Sequence, residues 1–138
     1  MNKNLNIYIS SHTGLAGSAV VRLLKKRGYK RIIVKSSKEL DLLNQKKIFD
    51  FFKAEKPDYV FMPSYKSGSI STNIKYPAEF IYENLTAQNN IIHAAYLNNV
   101  KKLIAIGASC AYPKNTPQPI KEEYLLTSEL EKTSEPYS

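Results

Sequence analysis

The residues best placed for binding chemistry form a short glycine-containing loop near the start of the chain. Ser11, Gly14 and Gly17 have the spacing S-x-x-G-x-x-G after the apolar run 5–10, and Leu15 directly follows the first glycine. Glycines let the backbone approach a phosphate closely, and the next helix offers free N–H donors at its start. We therefore expect these four residues to contact the pyrophosphate of a dinucleotide. The alternative is a turn that merely starts a helix.

One residue of this loop departs from the glycine pattern. Ser11 stands where the pattern G-x-x-G-x-x-G has its first glycine. Its side chain adds a Cβ at a position where a tight turn favours a residue without one. We therefore expect weaker binding of the dinucleotide.

A second set of residues bears on which dinucleotide would bind. Sites for NAD usually carry an acid roughly twenty residues beyond the glycines, where it meets the ribose hydroxyl. Lys35 and Ser36 stand there instead, and a cation with a hydroxyl suits the extra phosphate of NADP. NADP is thus expected, although a lysine at a strand end is common on any surface. Asp41 is a candidate for the adenine edge, with helix capping as its alternative role.

These residues need a framework of strands alternating with helices. Apolar runs predict strands, helical spacing predicts the segments between them, and Gly28 suits the end of the first helix. The predicted strands are 5–10, 31–35, 59–62 and 103–108, and the predicted helices are 18–27, 45–55 and 77–98. Residues 63–76 and 112–119 have loop composition, and the charged stretch 121–132 is compatible with a helix. In the longest helix an apolar stripe runs through Ile81, Leu85, Gln88, Ile92 and Ala95.

This alternation predicts an α/β fold. We expect a doubly wound, Rossmann-like parallel sheet with helices on both faces and the strand order 3-2-1-4. Residues 1–138 would form one dinucleotide-binding domain, incomplete, with the fourth strand at an edge and no substrate domain.

Composition narrows the class of protein. The chain of 138 residues is 43% hydrophobic with a net charge of +8. Its lysines fall in scattered pairs and form no single stripe with aromatic residues, so a nucleic-acid partner is disfavoured. No apolar run is long enough to span a membrane, and residues 1–6 do not resemble a secretory signal. With Cys110 as the single cysteine, we expect a cytoplasmic protein without disulfides, and we expect no metal site.

Several longer motifs carry a specific resemblance. They are YPAEFIYEN (76–84), NIIHAAY (90–96), GASCAYPK (107–114), QP (118–119) and SEPY (134–137). Together they resemble the GDP-L-fucose synthase family, a group of extended short-chain dehydrogenase/reductases within the NAD-dependent epimerases and dehydratases. The likeness covers nearly the whole chain, in order.

The resemblance implies an activity and a set of catalytic residues. Such enzymes epimerise GDP-4-keto-6-deoxy-mannose and then reduce it with NADPH. Tyr137 matches the family's general acid and Cys110 its acid/base for epimerisation. The family pattern also has a serine whose hydroxyl would hydrogen-bond the substrate ketone, and this position falls on Ala108. The adjacent Ser109 is a doubtful substitute, because alternation along an extended segment would turn its side chain to the opposite side. The histidine that partners Cys110 in the family would lie beyond Ser138, and His12 and His93 do not replace it.

The loop after the third strand both matches and departs from the family. Lys66 and Gly68 match, and Lys66 is implied as a cofactor contact. Pro63, Ser64 and Tyr65 replace the small residues that normally admit the nicotinamide.

The expected function has two versions. In the family pattern a lysine would follow Ser138, so we expect an N-terminal cofactor-binding part that binds NADP weakly or not at all and is inactive alone. The family forms homodimers, and we expect the dimer helix to be cut short here. The alternative is a non-catalytic remnant or interaction module, derived from a broken gene or from a split gene with a companion.

Overall fold

The computed structural model describes residues 2–63 and 65–138. The expectation for Ser64 therefore lies outside the described residues. The chain divides into two compact units. The first, here called the sheet unit, comprises Met1–Tyr65 and Leu85–Ile106, and the second unit comprises Lys66–Asn84 and Gly107–Ser138.

Within its described residues the sheet unit contains four parallel strands. They are β1 (Ile7–Ile9), β2 (Ile32–Ile33), β3 (Tyr59–Met62) and β4 (Lys102–Ala105), joined through α1 (Leu15–Lys26), α2 (Gln45–Glu55) and α4 (Pro77–Leu97). β2 is shorter than the predicted strand 31–35. The α/β parallel fold is confirmed, and β4 lies at one edge of the four-stranded sheet as expected.

The predicted strand order 3-2-1-4 is wrong, because the observed order is β2-β1-β3-β4. β3 pairs with β1 in the register Ile7↔Tyr59, Tyr8↔Val60 and Ile9↔Phe61. After β2 the chain reverses direction across the sheet, and α2 carries it over β1. The sequence shows that a third strand exists but not on which side of β1 it pairs.

The core explains this reversal. On one face Ile7 and Ile9 pack with Leu24 of α1. On the other face Tyr8 packs with Ile48 and Phe52 of α2 and with α4 residues. Right-handed crossovers require a helix to change faces when the chain changes direction across a parallel sheet. Helices on both faces, as predicted, are thus confirmed, and burial of α2 opposite α1 is the physical counterpart of the reversed order.

The helix α4 buries a different face from the predicted stripe. Ala87, Ile91, Ala94 and Ala95 are buried, together with Asn90, whose Nδ2 donates to the Leu42 carbonyl at 2.9 Å. Small residues allow close packing on the sheet. Of the predicted stripe only Ala95 is buried, whereas Ile81, Leu85, Gln88 and Ile92 are exposed.

The second unit has little regular structure. It holds α3 (Ile70–Lys75), which the loop prediction for 63–76 missed and whose first turn is capped by the Ser69 hydroxyl. Only Glu122–Tyr124 within 121–132 forms a short 3₁₀ helix, so an α-helix there is wrong. Another 3₁₀ turn covers Ser109–Ala111. Among the residues that the structure describes, no helix combines the length and apolar character needed to cross a bilayer.

Asp58 joins the amino ends of three strands. Its carboxylate accepts the Asn6 N–H at 2.9 Å and pairs with the Lys101 ammonium at 2.7 Å. Its backbone donates to the Asn6 carbonyl and accepts from the Lys101 N–H. The hydrogen bond from Lys101, followed by that from Asn6, lowers the pKa of Asp58.

We predict that Asp58→Asn lowers the free energy of unfolding by about 1 kcal/mol at pH 7, because hydrogen bonds to a carboxylate are lost. Since the folded-state pKa is lowered, this stabilisation is full above the unfolded pKa of about 4 and disappears as pH falls through the folded value. Urea unfolding at pH 7 and pH 3 measures both values. Asp50→Asn, which breaks an exposed pair with Lys46, is the control. An equal effect of Asp58→Asn at both pH values would contradict the prediction.

Candidate functional site

The predicted phosphate loop lies at the carboxyl end of β1 and leads into α1. Ser10 N–H donates to the Phe61 carbonyl at 3.1 Å, which ties the start of the loop to β3. Ser11 adopts φ 49°, the left-handed region that favours glycine. Gly14 N–H then donates to the Ser11 carbonyl at 3.1 Å and closes the turn. The expectation that the Ser11 position suits glycine therefore agrees with the backbone.

The loop 10–14 and the first turn of α1 together are here called the α1 corner. Within it, Gly17 makes the closest backbone approach. A Cβ built on Gly17 would lie 2.3 Å from the Ser11 carbonyl oxygen and 2.9 Å from the His12 Cα. Both obstacles are backbone atoms, which cannot simply rotate away. A Cβ on Gly14 would meet the same oxygen at 3.4 Å, an ordinary contact. The two glycines therefore have different roles, and only Gly17 is required by the packing of α1 against the loop.

The start of α1 offers uncompensated positive polarity. Gly14 is the N-cap and supplies no side-chain hydrogen bond, and no acidic residue lies in the first turn. The first N–H groups of a helix have no partner within the helix, and they carry its positive dipole end. Leu15, the first helical residue, is 93% exposed. Beneath the loop, the buried Ser10 hydroxyl has no hydrogen-bond partner in the described structure. The corner can accept an anion on its backbone.

The end of β2 holds both a cation and an acid. Lys35 Nζ lies 3.8 Å from a Glu55 carboxylate oxygen. Glu39 Oε2 accepts hydrogen bonds from Ser36 N at 2.8 Å and from Ser36 Oγ at 2.6 Å. Glu39 was missed from sequence because it follows the strand by several residues and reaches back through a turn. The spacing S-x-x-E, typical of a capping box, was the available signal.

Asp41 is occupied by local hydrogen bonding. Its Oδ1 accepts from Leu43 N at 3.0 Å, and its carbonyl accepts from Asn44 N. The helix cap is Asn44, whose Oδ1 accepts from Lys47 N at 3.0 Å, so the capping role for Asp41 is wrong. The adenine contact of Asp41 stays a prediction.

The remaining predicted site residues lie in the second unit. Lys66 pairs with Glu83 at 2.6 Å, and its backbone exchanges hydrogen bonds with the Asn84 side chain at 2.9 and 3.0 Å. Gly68 lies against Phe80 and Thr72, so a Cβ there would come within 2.8 Å of the Phe80 ring. Its presence follows from packing in this unit. The free ammonium expected of a cofactor contact is engaged by Glu83.

Of the predicted catalytic residues, Cys110 lies in a short turn of the second unit and Tyr137 lies near its last residue. Cys110 is a half-buried free thiol in the 3₁₀ turn, with Ser109 before it and Ala108 at the N-cap. Tyr137 packs edge-on against Phe80, with ring centroids 6.5 Å apart. Ala108 supplies no hydroxyl, as expected from its sequence position.

The residues after β3 pack inward. Pro63 is buried, and Tyr65 is half-buried against the larger core cluster of the sheet unit. His93 is exposed on α4, where its ring stacks on Tyr96 and lies tilted against Phe49 of α2.

Comparison with known proteins identifies the family. Residues 7–138 match the model of the NAD dependent epimerase/dehydratase family. The chain belongs to this family. It is 47% identical to GDP-L-fucose synthase 1 of Arabidopsis thaliana over 99% of its length, and 44% identical to GDP-L-fucose synthase of Escherichia coli K12 over 96%. A solved GDP-mannoheptose C4 reductase from Campylobacter jejuni, with NADP bound, matches with a TM-score of 0.95 and 46% identity over 99% of this chain.

These relatives are longer than the chain. It spans 42% of the Arabidopsis protein, 41% of the E. coli protein and 43% of the Campylobacter chain. Membership of the epimerase/dehydratase family makes a dinucleotide the natural test for the α1 corner. A diphosphate fits its free N–H groups, its dipole and the close approach that Gly17 permits.

We predict that Gly17→Ala destabilises the chain by about 1–3 kcal/mol, because the new methyl group overlaps the Ser11 carbonyl and the loop must shift. Thermal or urea unfolding provides the measurement. Gly14→Ala is the matched control, since its methyl group finds ordinary contact distance. Equal stability of the two alanine variants would contradict the assigned role of Gly17.

Proposed function

We propose that the chain supplies the NADP-binding part of a reductase or epimerase that acts on a GDP-linked sugar. The observation that carries the proposal is the α1 corner, where Gly17 brings the first helical turn against the Ser11 carbonyl. Relatives named as GDP-sugar synthases and reductases, one of them with NADP bound, support it. When bound, the cofactor would supply hydride chemistry, while the residues of this chain position it.

Within this proposal each predicted cofactor residue has a physical task. The backbone at Leu15 and Gly17 presents N–H groups to the diphosphate, and the turn Ser11–Gly14 holds that backbone in place. Lys35 supplies positive charge at the end of β2, where the adenosine phosphate of NADP would lie. Lys35 is only partly exposed and its present carboxylate partner is 3.8 Å away, so a phosphate could replace that weak pairing. Asp41 and Lys66 remain weaker candidates because local partners hold both.

The proposed sugar chemistry rests on the second unit. Tyr137 would act as the acid at the ketone and Cys110 as the acid/base in epimerisation. The phenol of Tyr137 has an aromatic neighbour in Phe80, which orients the ring but offers no charge to stabilise a phenolate. A tyrosine working near neutral pH needs such a charge, usually an ammonium group. Ala108 leaves the substrate ketone without the expected hydroxyl.

The second version of the function, a non-catalytic remnant or interaction module, is favoured by Ala108. Loss of a positioned hydroxyl donor in a general-acid site removes part of a contribution that is typically 10²–10⁴-fold. Nucleotide binding by the sheet unit does not depend on that hydroxyl. The two versions therefore differ in catalysis and agree in cofactor binding.

Association with a second copy is also part of the proposal. The exposed face of α4 carries Leu85, Ile92 and Tyr96. From Leu85 to Leu97 this helix has no charged residue. Because this face is neutral, it adds no charge repulsion between two copies of a chain whose net charge is +8. The family homodimer thus stays a prediction for this chain, with α4 as the proposed contact.

We predict that the 138-residue polypeptide binds NADP weakly, with a Kd on the order of 10⁻⁴–10⁻³ M. Lys35→Gln should weaken this binding about threefold to tenfold, because one cation near the adenosine phosphate is removed. Isothermal titration calorimetry measures both values. Lys46→Gln, which removes an exposed charge from α2, is the control and should bind like the parent chain. No heat at millimolar NADP would count against the proposal.

We predict that the same polypeptide does not reduce GDP-4-keto-6-deoxy-mannose with NADPH. The Ala108 position supplies no hydroxyl to the ketone. The measurement is loss of NADPH absorbance with the keto sugar, against a protein-free blank. Turnover above the blank would refute the inactive version and leave cofactor binding intact.

A further inference from the structure

The positive charge of the chain is concentrated in its first 38 residues. They contain nine Lys and Arg residues and no Asp or Glu, whereas residues 39–138 contain eleven Lys and Arg residues and twelve Asp and Glu residues. The net charge of +8 therefore comes from the segment that includes β1, α1 and β2. Of the nine cations, the described structure places only Lys35 in an ion pair, with Glu55 at 3.8 Å.

The fold gathers six of these cations where the strands begin. β1 to β4 run parallel, so their amino ends lie at one edge of the sheet. Lys30 N–H donates to the Lys3 carbonyl at 3.5 Å, and the Arg31 carbonyl accepts from Ile7 N–H at 2.9 Å. A Cβ built on Gly28, just beyond α1, would lie 3.4 Å from the Lys3 ammonium nitrogen. The six exposed cations, here called the basic edge, are Lys3, Lys25, Lys26, Arg27, Lys30 and Arg31.

Helix electrostatics explain only part of the basic edge. Lys25 and Lys26 lie in the last turn of α1, where cations offset the negative end of the helix dipole. The other four members lie outside α1. Asp58, an acid at the same edge of the sheet, pairs instead with Lys101 at 2.7 Å. The six cations therefore repel one another without a carboxylate partner in the described structure, and a bound anion would relieve that repulsion.

We infer that the basic edge binds the phosphate backbone of double-stranded nucleic acid, without regard to base sequence. Duplex DNA carries one negative charge per about 1.7 Å of helix axis, so it can neutralise all six cations at once, whereas one phosphate group cannot. Sites for single strands stack the bases on exposed aromatic side chains. Among the described residues at this edge, Tyr29 and Tyr59 are half-buried in the core cluster with Ile7 and Ile9. The surface thus offers charge without a stacking platform from these rings, which favours a duplex.

The basic edge is separate from the proposed cofactor site. The α1 corner lies at the start of α1, and the basic edge lies at the end of the same twelve-residue helix, about 18 Å away. The inference therefore goes beyond the proposed function and does not depend on it. It also differs from the expectation drawn from the scattered lysine pairs, because Lys3 meets Lys30 only in the folded chain.

The test is binding of the 138-residue chain to a fluorescein-labelled DNA duplex of about 20 base pairs, measured by fluorescence anisotropy at several KCl concentrations. We expect a Kd on the order of 10⁻⁶ M at about 50 mM KCl. Each neutralised phosphate contributes about −0.9 to the slope of log K against log salt, so six contacts give a slope of about −5. Duplexes of unrelated sequence should bind equally, because the contacts are to phosphates.

A matched pair of double variants separates the basic edge from the net charge. Lys26→Gln/Lys30→Gln removes two cations from the basic edge, and Lys46→Gln/Lys47→Gln removes two exposed cations from α2. Both variants lower the net charge equally. We expect the first to weaken duplex binding by about tenfold or more and to reduce the salt slope by about 2, because each phosphate contact contributes about 1. The second should bind with the slope of the parent chain.

Three results would overturn the inference. They are absence of duplex binding at about 50 mM KCl, a salt slope of the parent chain shallower than about −3, and an equal loss of binding in the two double variants. Vesicles of phosphatidylserine and phosphatidylcholine test the other polyanionic surface. Binding to these vesicles without binding to the duplex assigns the basic edge to a membrane and also overturns the inference. If circular dichroism shows that Lys26→Gln/Lys30→Gln does not fold, the slope of the parent chain decides, and a slope steeper than about −3 supports the inference.

Discussion

The close approach of the Gly17 backbone to the Ser11 carbonyl sets the position of α1 relative to β1. Because no side chain separates them, the first turn of α1 packs directly against the loop that follows β1. Ser11 completes this geometry at the cost of a left-handed backbone conformation. The same turn supports Gly14 as N-cap without a side-chain acceptor. An anion site follows from the backbone alone, so it tolerates replacement of the first glycine by serine better than it tolerates any Cβ at Gly17.

The position of β1 inside the sheet makes the α1 corner a candidate ligand site. Chain direction reverses between β2 on one side of β1 and β3 on the other, and in open α/β sheets ligands bind outside the carboxyl ends of strands at such a reversal. The incorrect order 3-2-1-4 also places a reversal beside β1, between it and the fourth strand. The inference of a nucleotide corner therefore did not depend on which strand pairs there. It depended on β1 lying inside the sheet and being followed at once by the loop.

Local patterns predicted most elements, and tertiary contacts decided the rest. Helical spacing predicted α2 over 45–55, and the short apolar run 59–62 predicted β3. The buried face of α4 was mistaken because Ile81, Leu85 and Ile92 are more hydrophobic than the alanines that pack on the sheet. Close helix packing rewards small residues, which a hydrophobicity pattern undervalues. Glu39 was missed because a side chain that reaches back through a turn has no signature in strand or helix periodicity.

The lysines and hydrogen-bond donors of the predicted site are already paired with acids, and this pairing limits how a ligand can bind. The chain carries a net charge of +8, yet Lys35 lies near Glu55, the Ser36 donors are held by Glu39, and Lys66 is paired with Glu83. A phosphate that binds any of these groups must displace the carboxylate already there. The free energy gained is therefore only the difference between the two interactions. Among the residues that the structure describes, the exception is the start of α1, where no acid lies in the first turn and no side chain caps the N–H groups. Affinity for a dinucleotide should therefore come chiefly from the diphosphate at α1. Groups at the end of β2 should contribute less, because there each gain carries the loss of an existing contact.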